Sequence, residues 1–145
     1  MHKPHGNSLR KGRVSLPNHY YLITIVTKNR EKHFTNPENA TIAAHHFYHE
    51  TIQKNAQTLA YVIMPDHIHW LINLHQGLSE ATRKYKARVS WDLGSGIWQR
   101  GFHDHALRKE ENIRETARYI IANPVRAKLV DNINDYPYWN TIWLL

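Results

Sequence analysis

The sequence predicts an α+β sandwich, an antiparallel sheet with helices packed on it, and three observations carry that expectation. Strand-type and helix-type segments alternate along the chain in the order β-α-β-β-α-β-α. Two of the strands are separated only by a short break at Pro65-Asp66, so that the pair reads as a hairpin and the sheet as antiparallel. The 145 residues are one domain's worth of chain, expected to fold as a single unit over 1–145 without covalent staples.

Each element has a local reason. Residues 1–18 form a basic arm with Lys3, Arg10, Lys11 and Arg13, no acidic residue, and a close at Leu16-Pro17-Asn18. His19 to Lys28 is rich in β-branched and aromatic residues and reads as a strand. After Asn36-Pro37-Glu38, helical spacing of Ile42, Ala43, Phe47 and Ile52 predicts one helix over Ala40 to Ala56. Thr58 to Met64 and Ile68 to His75 are the hairpin strands. Leu78 to Trp91 reads as a helix carrying Arg83, Lys84, Lys86 and Arg88, ended by Gly94-Ser95-Gly96. A short fourth strand falls within Ile97 to Leu107. The last helix runs from Glu110 to Asn123, with acidic residues in its first turn and Pro124 as its stop. Val125 to Leu145 is a tail weighted with Tyr136, Tyr138, Trp139 and Trp143.

Composition narrows the chemistry. The absence of cysteine excludes disulfides, iron–sulfur ligation, thiolate zinc sites and thiol catalysis. No apolar run approaches the roughly 18 residues of a membrane span, and residues 1–6 lack the apolar core of a signal peptide. A cytoplasmic protein is expected. Lys+Arg 19 against Asp+Glu 12 leaves a net charge of +7, which favours a polyanionic partner. Twelve histidines and five tryptophans add metal-ligating and base-stacking capacity.

The densest cluster of candidate chemistry is Met64-Pro65-Asp66-His67-Ile68-His69-Trp70. On a strand, Ile68, Trp70, Ile72 and Leu74 share one face, and His67, His69, Asn73 and His75 the other. Two imidazoles side by side can offer two nitrogens to one divalent ion; the plainer alternative is polar surface. On the last helix Asn112, Thr116, Tyr119 and Asn123 form a polar stripe opposite Ile113, Ala117, Ile120 and Ile121. Tyr119 and Asn123, one turn apart, can supply a nucleophile and a neutral oxygen ligand. Trp91, Trp98, Phe102 and the tail aromatics are candidates for stacking on unpaired bases.

Four separated segments together resemble one family: Gly12 to Pro17, Val62 to His69, Trp98-Gln99-Arg100-Gly101-Phe102-His103-Asp104-His105, and Ala117 to Val130. They are similar, in order and across most of the chain, to the HUH endonucleases, and within them to the REP-associated, IS200-like single-tyrosine transposases. The resemblance implies a ferredoxin-like sandwich, with His67 and His69 as metal ligands and Tyr119 as nucleophile. Asn123 stands where many relatives carry a glutamine one methylene longer, as third ligand; His105 or Asp104 are alternatives. One Mg²⁺ or Mn²⁺ is implied, with cleavage and rejoining of single-stranded DNA through a 5′-phosphotyrosine. The implied substrate is an imperfect palindromic hairpin, bound by a monomer or homodimer away from any membrane. Arg10, Lys11, Arg13, Arg83, Lys84, Arg88, Arg100 and Arg126 are then candidates for backbone phosphates.

Two rivals stand beside that reading. A relative that binds hairpins without cutting would keep the charge, yet the intact His67, His69 and Tyr119 argue for catalysis. A metal hydrolase using His67-x-His69 and His103-x-His105 would need a barrel of about 250 residues and would leave Tyr119 idle.

Overall fold

The computed structural model describes residues 19–108 and 110–143, so the basic arm and its Arg10, Lys11 and Arg13 lie outside the described residues. The strands are β1 (Tyr20–Val26), β2 (Ala56–Met64), β3 (His67–Leu74), β4 (His103–Leu107) and β5 (Trp139–Thr141). The helices are α1 (Pro37–His46), α2 (Glu50–Gln53), α3 (Leu78–Leu93), α4 (Glu110–Ile121) and α5 (Asn123–Arg126). One sheet in the order β4-β1-β3-β2-β5 joins the strands, every pairing antiparallel. Its first four strands with their helices follow the ferredoxin-like β-α-β-β-α-β scheme, so the α+β expectation is met.

β3 is the central strand, paired on both sides, and its alternation divides the interior in two. Ile68, Trp70, Ile72 and Leu74 enter a core shared with Tyr21, Ile23 and Ile25 of β1, Ala40 and Ala43 of α1, and Tyr85 and Val89 of α3. The opposite face packs Val62, Met64 and Leu71 against Ile113, Ala117, Ile120 and Ile121 of α4. The pairing of β2 with β3 shifts register between Thr58 and Ala60. That extra residue resets the parity of β2. Tyr61 and Ile63 then oppose Trp70 and Ile68, while Val62 and Met64 oppose His69 and His67.

The single helix expected over Ala40 to Ala56 is two helices. Asn36 caps α1 by accepting from the Glu38 and Asn39 amides at 2.8 and 3.4 Å, with Pro37 in the first turn. The helix then yields at Phe47, whose ring is fully buried and stacks on Tyr85 at 4.4 Å between centroids. It also approaches Tyr61 at 4.8 Å and Trp70 at 5.1 Å. Packing one ring among three others outweighs continuing the helix, and His49 starts α2 by accepting from the Thr51 amide at 3.1 Å. At the other end of α3, Gly94 takes a φ of 118° that L side chains rarely adopt, and the helix stops there.

Two further expectations change in the C-terminal part. Pro124 does not stop the winding: α4 ends at Ile121, and the chain makes one more turn as α5 with Pro124 in it. A proline lacks only the amide that a first turn leaves unpaired, so it fits there. The tail is not strandless either. Trp139–Thr141 pairs with β2 at the sheet edge, and Tyr136 donates its hydroxyl to the Ile63 carbonyl at 2.5 Å.

Phe47→Ala should lower unfolding free energy by about 3–5 kcal/mol in chemical denaturation, since it empties the centre of the aromatic cluster. A loss below about 1 kcal/mol would show that the cluster closes over the gap.

Candidate functional site

The hairpin tip and the end of α4 meet over the histidine face of the sheet. Met64, His67, His69, Tyr119, Asn123, Arg126 and Ala127 line one cavity of about 460 Å³. Residues more than fifty positions apart are thus brought together because Ile113, Ala117, Ile120 and Ile121 seat α4 on that face. The seat leaves Tyr119 on the opposite stripe, 63% exposed.

The two imidazoles are fixed through the same ring atom. His67 Nδ1 lies 2.7 Å from Asp66 Oδ1, and His69 Nδ1 lies 3.0 Å from the Thr24 hydroxyl across the β1–β3 pairing. Each ring therefore has Nε2 unengaged by these bonds, and the ring centroids are 5.0 Å apart. The arrangement is compatible with a shared divalent ion, whose histidine ligands are characteristically oriented by a neighbour at the second nitrogen. Burial pushes the His69 pKa down to about 3, and the positive charges of His67 and Arg126 add to the shift. Its ring therefore stays neutral and keeps a lone pair at ordinary pH. Burial alone would raise the Asp66 pKa, but the hydrogen bond to His67, the charge of that ring and Arg30 hold it below its ordinary value.

Arg126 occupies the other side of the cavity. Its guanidinium donates to the Tyr119 carbonyl at 2.6 Å and to Asn123 Oδ1, and sits 3.8 Å from the Tyr119 ring centroid. The arginine ties the end of α4 to α5 and stacks a cation on the tyrosine. Asn123 lines the same cavity as both histidines, with its Oδ1 engaged by Arg126. Two imidazole nitrogens and an amide oxygen are a small, neutral donor set of the kind that can hold one divalent ion, the amide oxygen only when Arg126 yields it.

Other candidates fall elsewhere. Asp104 opposes Ile23, on the face covered by α1 and α3, and is buried there, so it cannot join the pair. His103 and His105 share the histidine face, but β1 stands between them and β3, and neither lines the cavity. Among the described residues no three His, Cys, Asp or Glu side chains gather as a metal cluster. His75 lies beyond the end of β3 and lines a separate cleft with Phe47 and Tyr48.

The basic residues of α3 are on the far face of the sheet. Arg83 pairs with Glu80 at 2.8 Å, Lys84 donates to Asn55 at 3.2 Å, and Arg88 donates to His46 at 3.3 Å. Arg100 is exposed and shares a cleft of about 480 Å³ with Arg83 and Lys86. Of the stacking candidates, Trp91 is 89% exposed, whereas Phe102 and Tyr136 are core residues. Trp98 packs against the core and donates to the Lys86 carbonyl at 3.1 Å. Sequence reasoning missed Thr24 and Asp66 as partners of the histidines. The position of Asp66 directly before His67 was the available signal.

A histidine with a depressed pKa binds fewer protons folded than unfolded between about pH 3 and its ordinary value near 6.5. The metal-free protein should therefore lose stability as pH falls through that window. Denaturation midpoints measured across it should drop for the wild type and flatten for His69→Asn; parallel slopes would contradict a buried neutral ring.

Comparison with known proteins finds relatives of this chain. The profile of the family described as "Transposase IS200 like" matches residues 15–123. A candidate REP-associated tyrosine transposase of Haemophilus influenzae is 30% identical over 138 residues, covering 81% of this chain and 77% of that protein. The REP-associated tyrosine transposase of Escherichia coli K12 is 32% identical over 83 residues, covering 54% of this chain and 50% of its own. A solved REP-associated tyrosine transposase bound to a REP hairpin superposes with a TM-score of 0.76 at 24% identity, over 88% of this chain and 79% of that one. The fold is therefore shared with that structure. No helix among the described residues is long and apolar enough to cross a membrane. With three-quarters of its length matched, the chain belongs to the IS200-like transposase family, among the REP-associated tyrosine transposases.

Proposed function

We propose that this transposase is a metal-dependent endonuclease and strand transferase that cuts single-stranded DNA beside a palindromic hairpin through a 5′-phosphotyrosine. The observation that carries the reading is the convergence of Tyr119, His67, His69 and Asn123 on one open cavity. A solved relative was bound to a REP hairpin, which makes hairpin DNA the substrate class to test.

Tyr119 Oη is the attacking atom. Its bond to phosphorus forms as the bond to the 3′ oxygen breaks, leaving a 5′-phosphate on the tyrosine and a free 3′-OH. The phenolic proton can leave directly to solvent at this exposed position. Attack by a DNA 3′-OH on the phosphotyrosine restores the phosphodiester, so strands are exchanged rather than degraded. His67, His69 and Asn123 would hold one Mg²⁺ or Mn²⁺, which supplies Lewis-acid polarisation of the phosphate and neutralises developing charge. Arg126, already against the Tyr119 ring, brings a fixed positive charge to a strand entering the cavity. Arg83 and Arg100, sharing a cleft on the far face, are positioned for the backbone of the hairpin rather than for the reacting phosphate. Arg10, Lys11 and Arg13 extend the same electrostatic attraction.

Incubating single-stranded oligonucleotides that carry palindromic hairpins with the protein and Mg²⁺ or Mn²⁺ should give a denaturant-resistant adduct. Tyr119→Phe should abolish the adduct while leaving hairpin affinity within about twofold, because the lost hydroxyl serves chemistry rather than docking. Equal loss of binding and cleavage would overturn the nucleophile assignment. His67→Ala combined with His69→Ala, or chelation of the wild type, should remove cleavage and spare binding. Undiminished cleavage in either case would refute metal dependence.

A further inference from the structure

The turn Lys28–Arg30 has two successive residues in the left-handed region beside the hairpin tip. They are Asn29 and Arg30, at φ 57° and 54°. Asparagine enters the left-handed region at little cost, but an arginine there costs energy and needs a compensating reason. The same turn is clamped to the hairpin tip. The Thr27 amide donates to the Asp66 carbonyl at 3.0 Å, and the Phe34 amide donates to the Pro65 carbonyl at 3.0 Å. The buried Thr27 hydroxyl lies 3.0 Å from the Asp66 carbonyl and 2.7 Å from that of Glu31.

The result is that Arg30 Nε meets Asp66 Oδ2 at 3.1 Å while Asp66 Oδ1 meets His67 Nδ1 at 2.7 Å. Arg30 is largely exposed, and an exposed ion pair by itself contributes too little to explain the strained turn. What the turn does achieve is to hold one carboxylate with both oxygens committed. A carboxylate can only accept, so the facing Nδ1 must carry the hydrogen and the lone pair must sit on Nε2. The corresponding partner of His69 is a hydroxyl, which can donate or accept and so leaves that tautomer open.

We propose that Asp66, braced by Arg30, is a positioning residue that locks His67 in its Nδ1–H tautomer and so presents Nε2 to the cavity before any ion arrives. The metal half of this statement rests on the functional reading above; the tautomer half does not. Such outer partners of ligating histidines typically govern metal affinity by 10–100-fold.

The test is long-range ¹H–¹⁵N imidazole spectroscopy of the metal-free full chain at about pH 8, joined to Mn²⁺ titration by calorimetry. Wild-type His67 should carry its hydrogen on Nδ1. Asp66→Ala should release it toward Nε2 and weaken Mn²⁺ binding by about 10–100-fold. Arg30→Gln should do the same to a smaller degree, and Asp66→Asn, which keeps an acceptor oxygen, should recover part of both signals. Asp66→Asn and Arg30→Gln keep the test open should Asp66→Ala fail to fold. A wild-type His67 protonated on Nε2, or tautomer and affinity unchanged in all variants, would overturn the proposal. The expected tautomer with no Mn²⁺ binding to the wild type would uphold the positioning and overturn the metal reading of the site.

Discussion

Everything at the site depends on the burial of one face of the central strand. Ile68, Trp70, Ile72 and Leu74 are fully buried beneath α1 and α3, and a strand has only two faces. His67 and His69 are therefore committed to the other side, where α4 packs. Because β3 is hydrogen-bonded to β1 and β2 along its length, a slip of one residue would turn two imidazoles and Asn73 into the aromatic core and four large apolar side chains out of it. The irregularity at Thr58/Ala60 extends the same logic to β2 by placing Val62 and Met64 beside the two imidazoles. The hydrophobic core thus sets the geometry of the polar site.

The second structural condition is electrostatic. The cavity is lined by a half-buried neutral imidazole, a second imidazole facing a carboxylate, an asparagine and an arginine, with a tyrosine at the open rim. Such a set attracts an anion at the rim, where Arg126 stacks on Tyr119. A phosphodiester is such an anion. The charge of the chain is otherwise distributed on both faces of the sheet, with Arg83 and Arg100 in a cleft away from the reacting side. A bound hairpin and a reacting single strand can thereby use different surfaces of a small protein.

Much of this was legible in the sequence. Alternation across His67 to Leu74 and the stripe through Asn112, Thr116, Tyr119 and Asn123 are periodic signals, and periodicity survives into the fold. The order of the first four strands along the chain followed from the same patterns. What was illegible depends on contacts between distant residues. Phe47 breaks a helix-like segment because Tyr61, Trp70 and Tyr85 surround its ring. Trp139–Thr141 becomes a strand only because β2 offers an unpaired edge. Pro124 read as a stop, although its missing amide is harmless at the first turn of α5. The four candidate positions Arg83, Lys84, Arg88 and Arg100 could be ranked by charge but not assigned to a face. Asp66 read only as a turn residue, since its role needs Arg30 from a loop that shows no pattern.

The most direct measurement of the central claim is tandem mass spectrometry of the covalent product after nuclease and protease digestion. A nucleotide attached through a 5′-phosphate should be found on the peptide containing Tyr119, with fragmentation placing it at that side chain. Attachment to any other tyrosine, or cut DNA bearing a free 5′-phosphate with no modified peptide, would contradict the assignment of this cavity as a single-tyrosine strand-transfer site.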